Sequence, residues 1–117
     1  MIRRGIVIRV DDSTDLVDLG DDNSTIAHDI IGDYFDVTML TTHFDPGKYS
    51  LGIAVDDRGL LKDLPPNILA TRLRGCFVMQ KTPLVGTAIV IAANGHGEGI
   101  DIPEDVIQLV DAIRKVW

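Results

Sequence analysis

The sequence predicts an α+β fold, a single domain in which a mixed or antiparallel sheet packs against two or three helices. Three observations lead there. The chain has 117 residues, 45% of them apolar and 25% charged, which suits one core and leaves no room for two. Segments with apolar residues at every second position outnumber those with helical spacing, and turn signals join some of them as hairpins. Near the C-terminus, Val106, Leu109, Val110, Ile113 and Trp117 form the apolar stripe of an amphipathic helix. One globular domain over residues 1–117 is therefore expected, with no repeat, low-complexity tract or linker.

The elements follow in order. Residues 2–10 hold Ile6, Val7, Ile8 and Val10 between Gly5 and the Asp11-Asp12 pair, the pattern of a buried strand. Thr14 to Leu19 adds a short strand that Asp15 and Asp18 confine to a sheet edge. Asn23 or Ser24 can cap a short helix in which Ile26 and Ile30, then Ala27 and Ile31, repeat at i, i+4 before Gly32 stops it. Tyr34 to Leu40 alternates, with Phe35, Val37 and Met39 on one face and Tyr34, Asp36 and Thr38 on the other. After an Asp45-Pro46-Gly47 turn, Tyr49, Leu51, Ile53 and Val55 mark the next strand, and Asp56-Asp57-Arg58-Gly59 reads as a hairpin turn into Leu60-Leu61. Pro65-Pro66 introduces a second helix through Ile68, Leu69, Arg72 and Leu73 to Gly75. Val85 to Ala93, β-branched and uncharged, is expected to be a central strand covered on both faces. The last helix begins with Asp101 as cap and ends with Arg114 and Lys115 against the negative end of its dipole.

Composition bounds the function. Arg3, Arg4 and Arg9 interrupt the N-terminal apolar residues too soon for an export signal, and Leu84 to Ala93 is half the length a membrane helix needs, so a cytoplasmic protein is expected. A single cysteine, Cys76, excludes a disulfide scaffold and is expected to be a small buried hydrophobe. The net charge of −7 argues against a free-standing nucleic-acid binder. That charge is segregated: nine Asp and no Lys or Arg lie between Asp11 and Asp36, whereas Arg58, Lys62, Arg72, Arg74 and Lys81 face only Asp63 between residues 58 and 81. The acidic stretch is either a solvated face or a docking surface for a basic partner, and it could imitate a run of phosphates.

Catalytic machinery is hard to find. His28, His43 and His96 are the available bases, and none stands in a recognisable nucleophile setting. Asn94 to Gly99 has glycines at 95, 97 and 99, not the spacing of a phosphate loop, and Glu98 would repel a phosphate; a turn or flap fits better. Asp18, Gly20, Asp22 and Ser24 break the calcium-loop pattern, and no zinc or Walker motif is present, so no cofactor or metal is expected. Arg72, Arg74 and Lys81 with Phe77 are the one candidate nucleic-acid patch, set against the field of the whole chain.

Three segments carry a resemblance: Gly32-Asp33-Tyr34-Phe35-Asp36, Leu64-Pro65-Pro66-Asn67-Ile68-Leu69-Ala70-Thr71 and Val85-Gly86-Thr87-Ala88-Ile89-Val90. Together they resemble the family called domain of unknown function 3846, over roughly residues 2–112. The resemblance implies a small phage or mobile-element accessory protein acting on host or defence factors, and it supplies no activity. Within the motif Asn67 can cap a helix or hold a loop. The alternative is that Asn67, Thr71 and Arg72 with Tyr34 and Asp36 line a small polar site for a ligand or a weak enzymatic reaction. The leading expectation is a non-enzymatic protein whose partner is another protein, with neither nucleic acid nor membrane involved. A homo-oligomer through an uncovered sheet edge is also open.

Overall fold

A computed structural model describes residues 4–19, 23–32, 34–45, 49–80, 82–94 and 99–116, and for 23–25 and 41–45 the backbone course alone. The chain runs β1 (Arg4–Ile8), β2 (Thr14–Asp18), α1 (Asn23–Ile31), β3 (Phe35–Asp45), β4 (Tyr49–Asp56), α2 (Ile68–Gly75), β5 (Ala88–Ala93), β6 (Gly99–Ile100) and α3 (Glu104–Val116). The strands form one six-stranded sheet in the order β2-β1-β5-β4-β3, with β6 on β5, and every pairing is antiparallel. The predicted α+β class with two or three helices is thus what the chain adopts.

Strand alternation sorts the core into two layers. On one face Ile6, Ile8, Leu51, Ile53, Ala88 and Val90 meet Leu69 and Leu73 of α2 and Val106, Val110 and Ile113 of α3. On the other, Val7 and Ile89 meet Leu19 and Ala27, with Ile26, Ile30 and Ile31 of α1 packed around them. β5 is the central strand, and its residues contribute to both layers as a continuous apolar run requires. Gly5 is needed where β1 meets β5, because a Cβ there would lie 2.8 Å from the Val90 carbonyl oxygen.

Several expectations are corrected. The predicted hairpin after β4 does not form: residues 57–63 are consecutive turns, with Asp63 at φ 55°. The Asp56 carboxylate is the cause, since it accepts from the Arg58 amide at 2.8 Å and the Lys62 ammonium at 2.7 Å and so curls the chain around itself. Gly59 serves close packing there, its α-carbon lying where a Cβ would come within 2.5 Å of Val85. The central strand starts only at Ala88, because Val85 pairs with Pro66 in an isolated bridge and Gly86 takes a φ of 76°. β3 continues to Asp45 through register shifts after Met39, and β6 is an element with no sequence signal. Asp101 ties β1 instead of capping α3, accepting from the Arg4 amide at 2.6 Å, and the Arg4 carbonyl accepts from the Ile102 amide at 2.9 Å. Cys76 is exposed, not buried, because it stands at the C-cap of α2, past the last turn that packs on the sheet. The Asn23 and Ser24 side chains, the Pro46-Gly47 turn, Gly95 to Glu98 and Trp117 lie outside the described residues.

Candidate functional site: an open half of the sheet

α1 has 9 residues and is therefore about 13 Å long, too short to roof a sheet of five strands spaced about 4.8 Å apart. Gly32, at φ 140°, ends it, and the His28 ring donates from Nδ1 to the Gly32 carbonyl at 2.9 Å. Among the described residues the same face is open beyond α1. Val37 remains 36% exposed and Met39 49%, although the alternation of β3 marks both as core positions. Beside them lies a hollow of about 190 Å³ lined by Leu19, Met39, Gly52, Ile91, Ala93 and Ile100, with Arg4 and Ser50 as its polar members. Gly52 makes the floor low: a Cβ there would lie 2.9 Å from Val37. A glycine inside a strand is the sequence signal that could have located this hollow.

At the other end of β3, Tyr34 is 53% exposed and lies beneath the Arg58 guanidinium, 4.1 Å from its ring centre. The Tyr34 carbonyl accepts from the Asp57 amide at 3.2 Å, which joins this stack to the Asp56 turn. Asp56 is buried, and the Lys62 ammonium bonded to it holds its carboxyl below the ordinary 3.8 against the opposing effect of burial. A carboxyl depressed in the fold stabilises above its unfolded pKa, and that contribution is lost as pH falls through the folded value. Asp56→Asn is therefore expected to lower stability at pH 7 by about 1–3 kcal/mol, and its difference from wild type should shrink below pH 3.8. Urea titrations of both proteins at pH 7 and in the acid range measure this.

The structure divides the five sequence-derived site residues. Asn67 and Thr71 are brought together, but in the interior. Asn67 is fully buried, its Oδ1 accepts from the Ala70 amide at 3.0 Å, and its Nδ2 donates to the Ile8 and Gly86 carbonyls, both at 2.9 Å. The Thr71 hydroxyl donates to the Asn67 carbonyl at 2.7 Å and accepts from the Leu84 amide at 3.0 Å. Asn67 is thus a cap and a staple between α2, β1 and the Gly86 turn, with no surface to offer a ligand. Arg72 is half-buried on α2. Tyr34 joins Arg58 instead of Asn67, and Asp36 is an exposed β3 residue on the α2–α3 side of the sheet, opposite Val55.

The proposed cationic patch is dismantled in the same way. Arg74 is 3% exposed, its guanidinium donates to the Thr82 carbonyl, and its Nε has no hydrogen-bond partner among the described residues; Lys81 lies outside them. Of the histidines, His28 is exposed and packs its ring on Phe35 at 4.9 Å, while the side chains of His43 and His96 lie outside the described residues. Among the described residues no group of three or more His, Cys, Asp or Glu could hold a metal ion, and no helix is long and apolar enough to cross a membrane. Compared with known proteins, the chain matches no family model, no curated protein and no solved structure.

Proposed function

We propose that this chain is a non-catalytic binding protein that takes a protein partner on the half of the sheet α1 leaves open. The resemblance noted in its sequence extends the reading to a phage or mobile-element accessory factor acting in the host cytoplasm on a host or defence protein. The observation that carries it is the apolar hollow beside the exposed Val37 and Met39, on a face whose alternation would otherwise be core. Contiguous apolar surface on a small domain is the ordinary mark of an interaction site. The charge of −7 favours encounter with a basic partner and weakens it with salt.

The test is an affinity capture at low and moderate salt with wild type and Ala93→Lys, which places an ammonium in the hollow. A specific polypeptide is expected on wild type at both salts, with Ala93→Lys reducing recovery about tenfold while its melting temperature stays close to wild type. Recovery of no specific polypeptide, or equal recovery by both proteins, overturns the proposal.

A further inference from the structure

The two edges of the sheet are built differently. The β2 edge carries Asp15 and Asp18, with the Arg9 guanidinium 2.6 Å from Asp15, so any strand approaching it meets charge. The β3 edge from Phe35 to Leu40 has no Lys, Arg or Pro, and Asp36 is its one charge. Among the described residues no strand pairs with its outer side.

Ladder phase shows which main-chain groups of β3 point away from β4. The Tyr34 carbonyl accepts from the Asp57 amide, so Tyr34 and the residues in phase with it, Asp36 and Thr38, turn their amides toward β4. Phe35, Val37 and Met39 consequently turn theirs outward, away from the sheet. A strand seeking a partner presents those three residues.

We infer that β3 pairs antiparallel with β3 of a second copy about a two-fold axis at Val37. Register selects this centre. It sets Val37 opposite Val37 of the other copy, Phe35 opposite Met39 and Asp36 opposite Thr38, so apolar residues meet apolar ones and no carboxylate faces a carboxylate. A centre at Met39 runs into the register shift between Met39 and Thr41. A centre at Phe35 sets Val37 opposite Asp33. A centre at Asp36 opposes two carboxylates and uses amides already bonded to β4. Pairing at Val37 covers the exposed flanks of Val37 and Met39 and consumes both β3 edges; among the described residues this leaves the charged β2 edges and the two-residue β6, too short to seed a ladder, so assembly stops at two chains. This concerns self-association and does not depend on the proposed partner.

Light scattering of the purified protein from about 1 µM to about 1 mM should reach twice the 12.8 kDa of one chain. Val37→Pro removes an outward amide and spares the β4 ladder, as edge strands tolerate, and is expected to be monomeric with an unchanged circular dichroism spectrum. Should that variant fail to fold, cross-linking decides in a Cys76→Ser background, which removes the exposed native thiol. Val37→Cys lies opposite itself at about 5.5 Å between α-carbons and should oxidise to a covalent dimer, whereas Asp36→Cys, opposite Thr38, should not. A wild type that stays monomeric, a dimer that survives Val37→Pro, or equal cross-linking at the two positions overturns the inference.

Discussion

Asn67→Ala is expected to lower the unfolding free energy by about 3–5 kcal/mol, a loss on the order of 15 °C in melting temperature for a domain of this size. The reason is the number of groups the carboxamide satisfies at once. Its removal leaves the Ala70 amide and the Ile8 and Gly86 carbonyls without their side-chain partner in a place water does not reach. Asn67→Asp separates capping from stapling. The variant keeps an oxygen for Ala70 but turns the other, charged oxygen toward two carbonyl oxygens, so it should be at least as destabilised at pH 7. Denaturant titrations of the two variants measure this, and an Asn67→Asp protein as stable as wild type would show that the cap alone matters.

Gly86→Ala should cost about 2–4 kcal/mol, from two separable causes. Gly86 sits at φ 76°, where a side chain is strained, and its Cβ would lie 2.8 Å from Leu64 Cδ1. Truncating Leu64 to Ala relieves the contact and leaves the backbone strain, so Gly86→Ala should cost less, yet still something, in that background. The two sites are coupled: Gly86 accepts from Asn67, and its amide donates to the Pro65 carbonyl at 2.8 Å. The double variant Asn67→Ala, Gly86→Ala should therefore lose less than the sum of the singles.

These residues lie in two of the three segments singled out in the sequence, Leu64–Thr71 and Val85–Val90, and their chemistry is architectural. What the sequence made legible was whatever depended on local periodicity: the amphipathic α3, the capped α2, the edge position of β2 and the central position of β5. What it hid depended on distant partners. Asp101 reads as a helix cap because it precedes Pro103, but it accepts from the Arg4 amide, 97 positions away. Arg74 reads as a surface cation until its burial against Thr82 is known, and Asp56 as a turn residue until Lys62 folds back onto it. The open face is not legible for a related reason: alternation shows that Val37 and Met39 share a side, and says nothing about whether a helix is long enough to cover it. Tyr34 reads from the sequence as a partner of Asn67 in a polar site, but its neighbour is Arg58, contributed by turns that read as a hairpin.

The strand order has a consequence for how the molecule is made. Ile6 lies beside Val90, and the Arg4 amide reaches Asp101, so the middle of the sheet cannot close until the chain as far as Asp101 has left the ribosome. Refolding should run on the order of milliseconds to seconds, as for other topologies dominated by remote pairings. During synthesis β1 and β2 can meet early as a hairpin, yet Ile6, Val7 and Ile8 stay wet until β5 emerges between β1 and β4. That interval is when the nascent chain is most exposed to aggregation, and the carboxylates of β2 are positioned to discourage it.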